Sequence, residues 1–194
     1  MHTIAPYAGW REIYNTQEDS YSPFYGVEYE EFVFTNKIYN YYIHPQWDAF
    51  GSETLYAKIL YTNYDKGYTI IELLGEWNDA IENDIMLFRQ EVIDPLIEQG
   101  IYKYILLCDN VLNFHGSDDA YYEDWWDEIK EHDGWVCCIN TLLHVKDEML
   151  QTRLQFYINF DEKLNDIHWR PMLPQNLFML IEMQLNRFIK KIKD

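Results

Sequence analysis

Three short stretches concentrate the side chains able to do chemistry. Glu76, Trp77 and Asn78 follow one apolar run, Asp109, Asn110, Asn113 and His115 follow a second, and Asn140, Thr141 and His144 follow a third. Acids, amides, an indole and two imidazoles are groups that line small-molecule pockets. Glu76 and Asp109 are the type of carboxylate pair that hydrolysis uses as acid and base. His115, just ahead of Asp118 and Asp119, offers an acid–base or metal-binding pair. No second His lies at ligand spacing, so no metal and no cofactor is expected. The Asn and Asp residues serve equally well as turn formers and caps. The chain contains no GxSxG elbow, no GxGxxG and no GxxxxGK. Its three cysteines, Cys108, Cys137 and Cys138, form no CxxC pair. They read as buried, reduced thiols, and on a strand Cys137 and Cys138 point to opposite faces.

The elements that must position these residues follow from periodicity. The first 27 residues are irregular, punctuated by Pro6, Gly9, Pro23 and Gly26. Glu28–Thr35 and Ile38–Ile43 are rich in Tyr, Phe, Val and Ile and predict strands. Leu55–Thr62 and Tyr68–Leu74, joined by Asn63-Tyr64-Asp65-Lys66-Gly67, predict a hairpin. The period then changes. Ile81, Ile85, Phe88, Val92 and Leu96 predict an amphipathic helix with Asn78 as its N-cap, interrupted at Pro95 and ended by Gly100. Tyr102–Cys108 and Trp135–Asn140 are short apolar runs and predict buried, parallel strands at the sheet centre. Asp118–Glu131 predicts the helix between them. Lys146–Leu154 (helix), Gln155–Phe160 (strand) and a last helix from about Gln175 complete the series. The stripe of that last helix is Leu177, Ile181, Leu185, Phe188 and Ile192.

The order predicts one domain of α/β (α+β) class, a single mixed sheet. Residues 1–27 would pack on it, 28–75 would supply antiparallel strands and 76–194 an alternating βαβαβ part, with helices mainly on one face. In open sheets of this type ligands bind outside the carboxyl ends of the strands. Those ends carry the three chemical stretches above, so they define one rim.

Composition bounds the function. The chain has 194 residues, 33 Asp plus Glu against 15 Lys plus Arg, and a net charge of −18. Such a chain is not expected to bind nucleic acid or an anionic membrane surface. No basic and apolar leader opens the sequence, and the longest uncharged run, Gly134–Val145, is far short of the ~18 residues of a spanning helix. Location in the cytoplasm is the expectation. The stretch Asp118–Asp133 carries eight acids and one Lys and reads as a solvated face, while Arg187, Lys190, Lys191 and Lys193 complement the dipole of the last helix. Aromatics number 34. Either the aromatic N-terminal region folds back over the sheet, or it forms a surface for a partner, a second copy of the chain or a flat ligand.

The segment Tyr68 to about His144, with GEWND at its first strand–helix junction and YILLCDNVLNFHGSDDAYYEDWWDEIK at residues 104–130, resembles the STAS family, the sulfate-transporter and anti-sigma-factor-antagonist domains. It looks closest to the soluble, stand-alone antagonists. In that family a strand ends in an acidic residue, an apolar stretch and a Phe follow, and a small-residue turn opens a helix. Asp109, Phe114, Gly116 and Ser117 take those places here. The resemblance implies a mixed sheet with helices largely on one face and a non-catalytic regulatory role. It also makes Ser117 the position matching a phosphorylated serine. Here Asp118 and Asp119 follow it, where the family has a small residue and Gly, and these carboxylates would repel a phosphate. The residues favour a helix N-cap at Ser117 or Asp118 instead. Three functions are therefore weighed: a protein-interaction or regulatory module, a binder of a small, partly apolar ligand at the strand ends or under the N-terminal segment, and a hydrolase using Glu76, Asp109 or His115.

Overall fold

The computed structural model describes residues 4–30 and 32–193, with side chains described as far as Asn186. The basic residues Arg187, Lys190, Lys191 and Lys193, and the stripe positions Phe188 and Ile192, therefore lie outside the described side chains. A two-residue ladder, β1 (Lys37–Ile38) with β2 (Tyr41–Tyr42), precedes the main sheet. That sheet has β3 (Leu55–Asn63), β4 (Tyr68–Asn78), β5 (Lys103–His115), β6 (Trp135–Ile139) and β7 (Ile158–Asn159) in the order β3-β4-β5-β6-β7. β3 and β4 are antiparallel, and every later pairing is parallel. The fold is thus the mixed α/β sheet that the element order predicts, with β5 and β6 as parallel neighbours.

Between β4 and β5 the chain forms one continuous helical segment, α1 (Asp84–Phe88), a π-helical turn over Arg89–Ile93, and α2 (Asp94–Glu98). Pro95 has no N–H to donate to the preceding turn, and the wide turn falls just where that bond would be missing. α3 (Ala120–Lys130), α4 (Leu143–Gln151) and α5 (Pro174–Lys193) follow.

The two sheet faces are covered differently. α1 to α4 bury Ile85, Phe88, Tyr122, Trp125, Val145 and Met149 against Ile71, Leu106, Val136 and Cys138. On the other face α5 brings Leu177, Phe178, Ile181 and Leu185 against Tyr68, Ile70, Ile105, Leu107 and Ile139, and the N-terminal segment adds Trp10 and Tyr7. Tyr7 and Trp10 thus pack on the sheet, while Tyr21, Tyr25, Tyr39, Tyr41 and Tyr42 stay exposed, so each sequence reading describes part of the aromatic region. Cys137 and Cys138 divide between the faces, and Ile105, Leu107, Val136 and Ile139 are fully or almost fully buried.

Five expectations need correction. Residues 28–30 and 32–35 form no strand, and Ile38–Ile43 shrinks to the β1–β2 ladder. Ile38 and Ile43 are buried, but Phe32, Val33, Tyr39 and Tyr41 stand exposed, and β-propensity reflects suitability for a half-buried surface more than pairing itself. The first helix begins at Asp84, not after Asn78, and Ile81 is 80% exposed instead of belonging to the apolar stripe. β5 does not end at Cys108 but runs on to His115 beside the end of β4. Gln155–Phe160 splits into a 3-10 turn and the two residues of β7.

Candidate functional site

The extension of β5 rearranges the expected rim. Asp109, Asn110, Asn113 and His115 lie on a strand instead of in a loop, with Asn110, Asn113 and His115 in register with Leu74, Glu76 and Asn78 of β4 and Asp109 at a register shift. Two register shifts, between Glu72 and Leu74 and between Gly75 and Glu76, bend the pair. Gly75 makes this possible: its φ is +128°, and a Cβ there would collide with the Thr54 carbonyl. The first shift leaves Asp109 on the face of Leu107 and returns Val111 to the helix-side core.

The candidate residues consequently fall into three groups. Trp77 belongs to the core beneath α1 and α3, and Asn78 is buried as well. The Asn78 N–H donates to Asp84 (2.8 Å), and its side-chain oxygen accepts from the Ile81 N–H (3.1 Å). Glu76, Asn113 and His115 form a small cluster at the end of β4. His115 Nε2 lies 2.9 Å from Glu76 Oε1 and 3.0 Å from Asn113 Nδ2. His115 is thus engaged by Glu76, not by Asp118 or Asp119. Glu76 and Asp109 belong to separate hydrogen-bond groups, so the pairing considered for hydrolysis is not the one present.

The third group surrounds Asp109, at the point where β6 ends. Asp109 Oδ2 accepts from Trp169 Nε1 (3.0 Å), and Oδ1 accepts from Asn140 Nδ2 (3.2 Å) and Arg170 Nη1 (3.1 Å). Asn140, in the left-handed region at φ +56°, also locks onto the 167 backbone in both directions. Arg170 stacks over the Trp169 ring at 4.4 Å and reaches a second carboxylate, Glu72, at 3.7 Å. Glu72 is 2% exposed and accepts from the Tyr7 backbone N–H (2.8 Å). Burial pushes its pKa up to about 7, against the opposing pull of the Tyr7 N–H and Arg170. Asp109, Asn140, Leu142, Leu143, Trp169 and Arg170 are among the residues lining an open cleft of about 570 Å³.

Sequence reasoning found Asp109 and Asn140 but missed Glu72, Trp169 and Arg170. The lone Glu within the apolar strand Tyr68–Leu74 was a signal, because a buried carboxylate requires a partner. Trp169 and Arg170 sit in an irregular stretch with no periodicity to mark them. Among the other positions, Asn110 is half-buried on β5, and His144 Nε2 contacts the Leu112 carbonyl at 2.8 Å. Ser117 is exposed, and it does not cap α3: Asp119 is the N-cap residue, while the Asp118 carboxylate accepts from the Ala120 N–H (3.2 Å). Of the two caps considered, Asp118 supplies the side-chain bond. Helix formation begins three residues after Ser117, which puts its hydroxyl outside capping position.

No protein-family model matches the chain, and no curated protein matches it. Among solved structures it is similar to the anti-sigma factor antagonist SpoIIAA in its unphosphorylated form. The identity is 14% and the TM-score 0.43, over 55% of this chain and 89% of that one. Among the described residues no helix is long and apolar enough to cross a membrane.

Proposed function

We propose that the chain acts by recognition, as a cytoplasmic protein-interaction module of regulatory type, and that the cleft beside Asp109 receives the partner. The observation that carries this reading is the pairing of an apolar anchor with a held charge at one mouth. Leu143 is 75% exposed and Leu142 is 38% exposed, and both line the same cleft as Arg170, whose side chain is 48% exposed. Interfaces place apolar anchors beside oriented arginines in this way, the one for desolvation and the other for direction. The carboxylate of Asp109 supports recognition over acid–base work, since both its oxygens already accept hydrogen bonds from three donors. With a net charge of −18, encounter with a basic partner would be accelerated at low salt.

The test is comparative affinity purification from the native host. Wild type and Tyr25→Asp, which alters an exposed aromatic on the N-terminal segment, should recover the same stoichiometric partner. Leu143→Asp should lose that partner while melting at the wild-type temperature. Recovery of the same partner by all three chains would contradict the reading.

A further inference from the structure

We propose a second, independent site: an anion-binding cavity between the N-terminal segment and β3 that takes a small aromatic monocarboxylate. The cavity holds about 230 Å³ and is walled by Trp10, Tyr14 and Tyr29 over Ile59 and Leu60. Its charged lining residues are Arg11 and Lys58, and among the described residues no Asp or Glu lines it. In a chain with 33 acids and 15 bases this is a local reversal of sign.

The charges count toward a single anion. Lys58 is 8% exposed, and its ammonium already pairs with Asp48 Oδ2 at 3.1 Å, donates to the Tyr29 hydroxyl at 2.6 Å and lies 3.9 Å above the Tyr29 ring. Asp48 therefore offsets Lys58. Arg11 donates to the side-chain oxygen of Gln46, a neutral partner, so its charge is not cancelled by that contact. One net positive charge remains at the cavity, and a guanidinium fork matches a carboxylate in two parallel hydrogen bonds. With Tyr7, four aromatic residues line the cavity and supply apolar faces for a ring. The volume lies below the ~300–1,000 Å³ of drug-sized sites, which limits the ligand to about one ring system. The cavity is lined largely by the N-terminal segment and shares no lining residue with the Asp109 cleft.

The experiment titrates the full chain with benzoate, 4-hydroxyphenylacetate and indole-3-acetate, each beside its neutral carboxamide, followed by NMR of the indole N–H signals and by calorimetry. At least one acid is expected to bind with a Kd of about 1 mM or tighter, shifting the Trp10 indole signal, with its amide at least about tenfold weaker. Arg11→Gln, a change at an exposed side chain, should weaken the acid by about tenfold, and Arg11→Lys should recover part of that loss. Leu143→Asp should leave binding unchanged, which separates this site from the proposed partner surface. The proposal is overturned if no acid binds, if acid and amide bind equally, or if Arg11→Gln binds as wild type does.

Discussion

Two buried carboxylate centres lie on opposite faces of the same sheet, and they are built differently. On the helix side, Asp79 accepts from Trp77 Nε1 (3.0 Å), the Ile85 N–H (2.9 Å) and the Tyr122 hydroxyl (2.5 Å). Its neighbour Asp84 is fully buried and accepts from the Asn78 N–H (2.8 Å). Here carboxylates replace missing backbone partners where β4 gives way to α1, so that the two ends of an otherwise exposed turn can be buried. On the other face, Glu72 and Asp109 share Arg170, a side chain that is half exposed at the mouth of a cleft. The first centre is closed on itself. The second is open through one residue, and an incoming group can compete for that residue without unfolding anything. Burial alone does not set the two centres apart; the exposure of the carboxylates' partner does.

The largest effect is expected where the closed centre is broken. Asp79→Ala leaves two buried N–H donors and the buried Tyr122 hydroxyl without their acceptor, which should cost about 3–5 kcal/mol in a denaturant titration. A loss below about 1 kcal/mol would show that the turn is held by packing instead.

The open centre should reveal itself through pH. Burial raises the Glu72 pKa from 4.5 to about 7, so the folded chain binds the proton more tightly than the unfolded one. Its contribution is fully present below about pH 4.5 and is lost as pH rises through 7, a loss of about 3 kcal/mol from this group. Glu72→Gln keeps an acceptor for the Tyr7 N–H and removes the titration. The stability difference, variant minus wild type, should therefore grow in favour of the variant between pH 5 and pH 8. A difference that stays flat across that range would contradict the assignment.

Arg170→Ala sharpens the contrast at smaller cost. Asp109 keeps Trp169 and Asn140, and Arg170 is about half exposed, so less than about 1 kcal/mol should be lost. The Glu72 pKa should rise further, measurable by NMR titration of its carboxyl carbon, because the one cation holding it down is gone. The smallest effect is expected at Ser117, which lies on neither centre. Ser117→Ala should change stability by less than about 0.5 kcal/mol in thermal melts, since the hydroxyl does not cap α3.

Much of the fold was legible because its core is periodic. Leu177, Ile181 and Leu185 fall on one stripe, and Tyr104–Cys108 and Val136–Ile139 are continuous apolar runs, as strands buried on both faces must be. The site was legible only in part. Asn113 and His115 look like loop residues, yet pairing with Glu76 and Asn78 of β4 makes them strand, and Asp109 is carried along at the register shift before them. Glu72 was concealed within an apolar strand, and its partner Arg170 stands 98 positions away in an irregular segment. Nothing local announces a contact of that separation, because it is created by the fold as a whole. The aromatic N-terminal region misled in the other direction: Phe32, Val33, Tyr39 and Tyr41 carry the β-propensity of strand residues, yet they stand exposed in irregular or barely paired backbone.

The open centre's role in recognition is tested most directly by site-specific photocrosslinking in the native host. A benzophenone side chain would replace Leu143 or, as the control, Tyr25. Leu143 should yield one discrete adduct to a single protein, and that adduct should be lost when Arg170→Ala is added, while the Tyr25 position yields none of it. Equal adducts from both positions, or a Leu143 adduct that survives Arg170→Ala unchanged, would contradict recognition through the Asp109–Arg170 cleft.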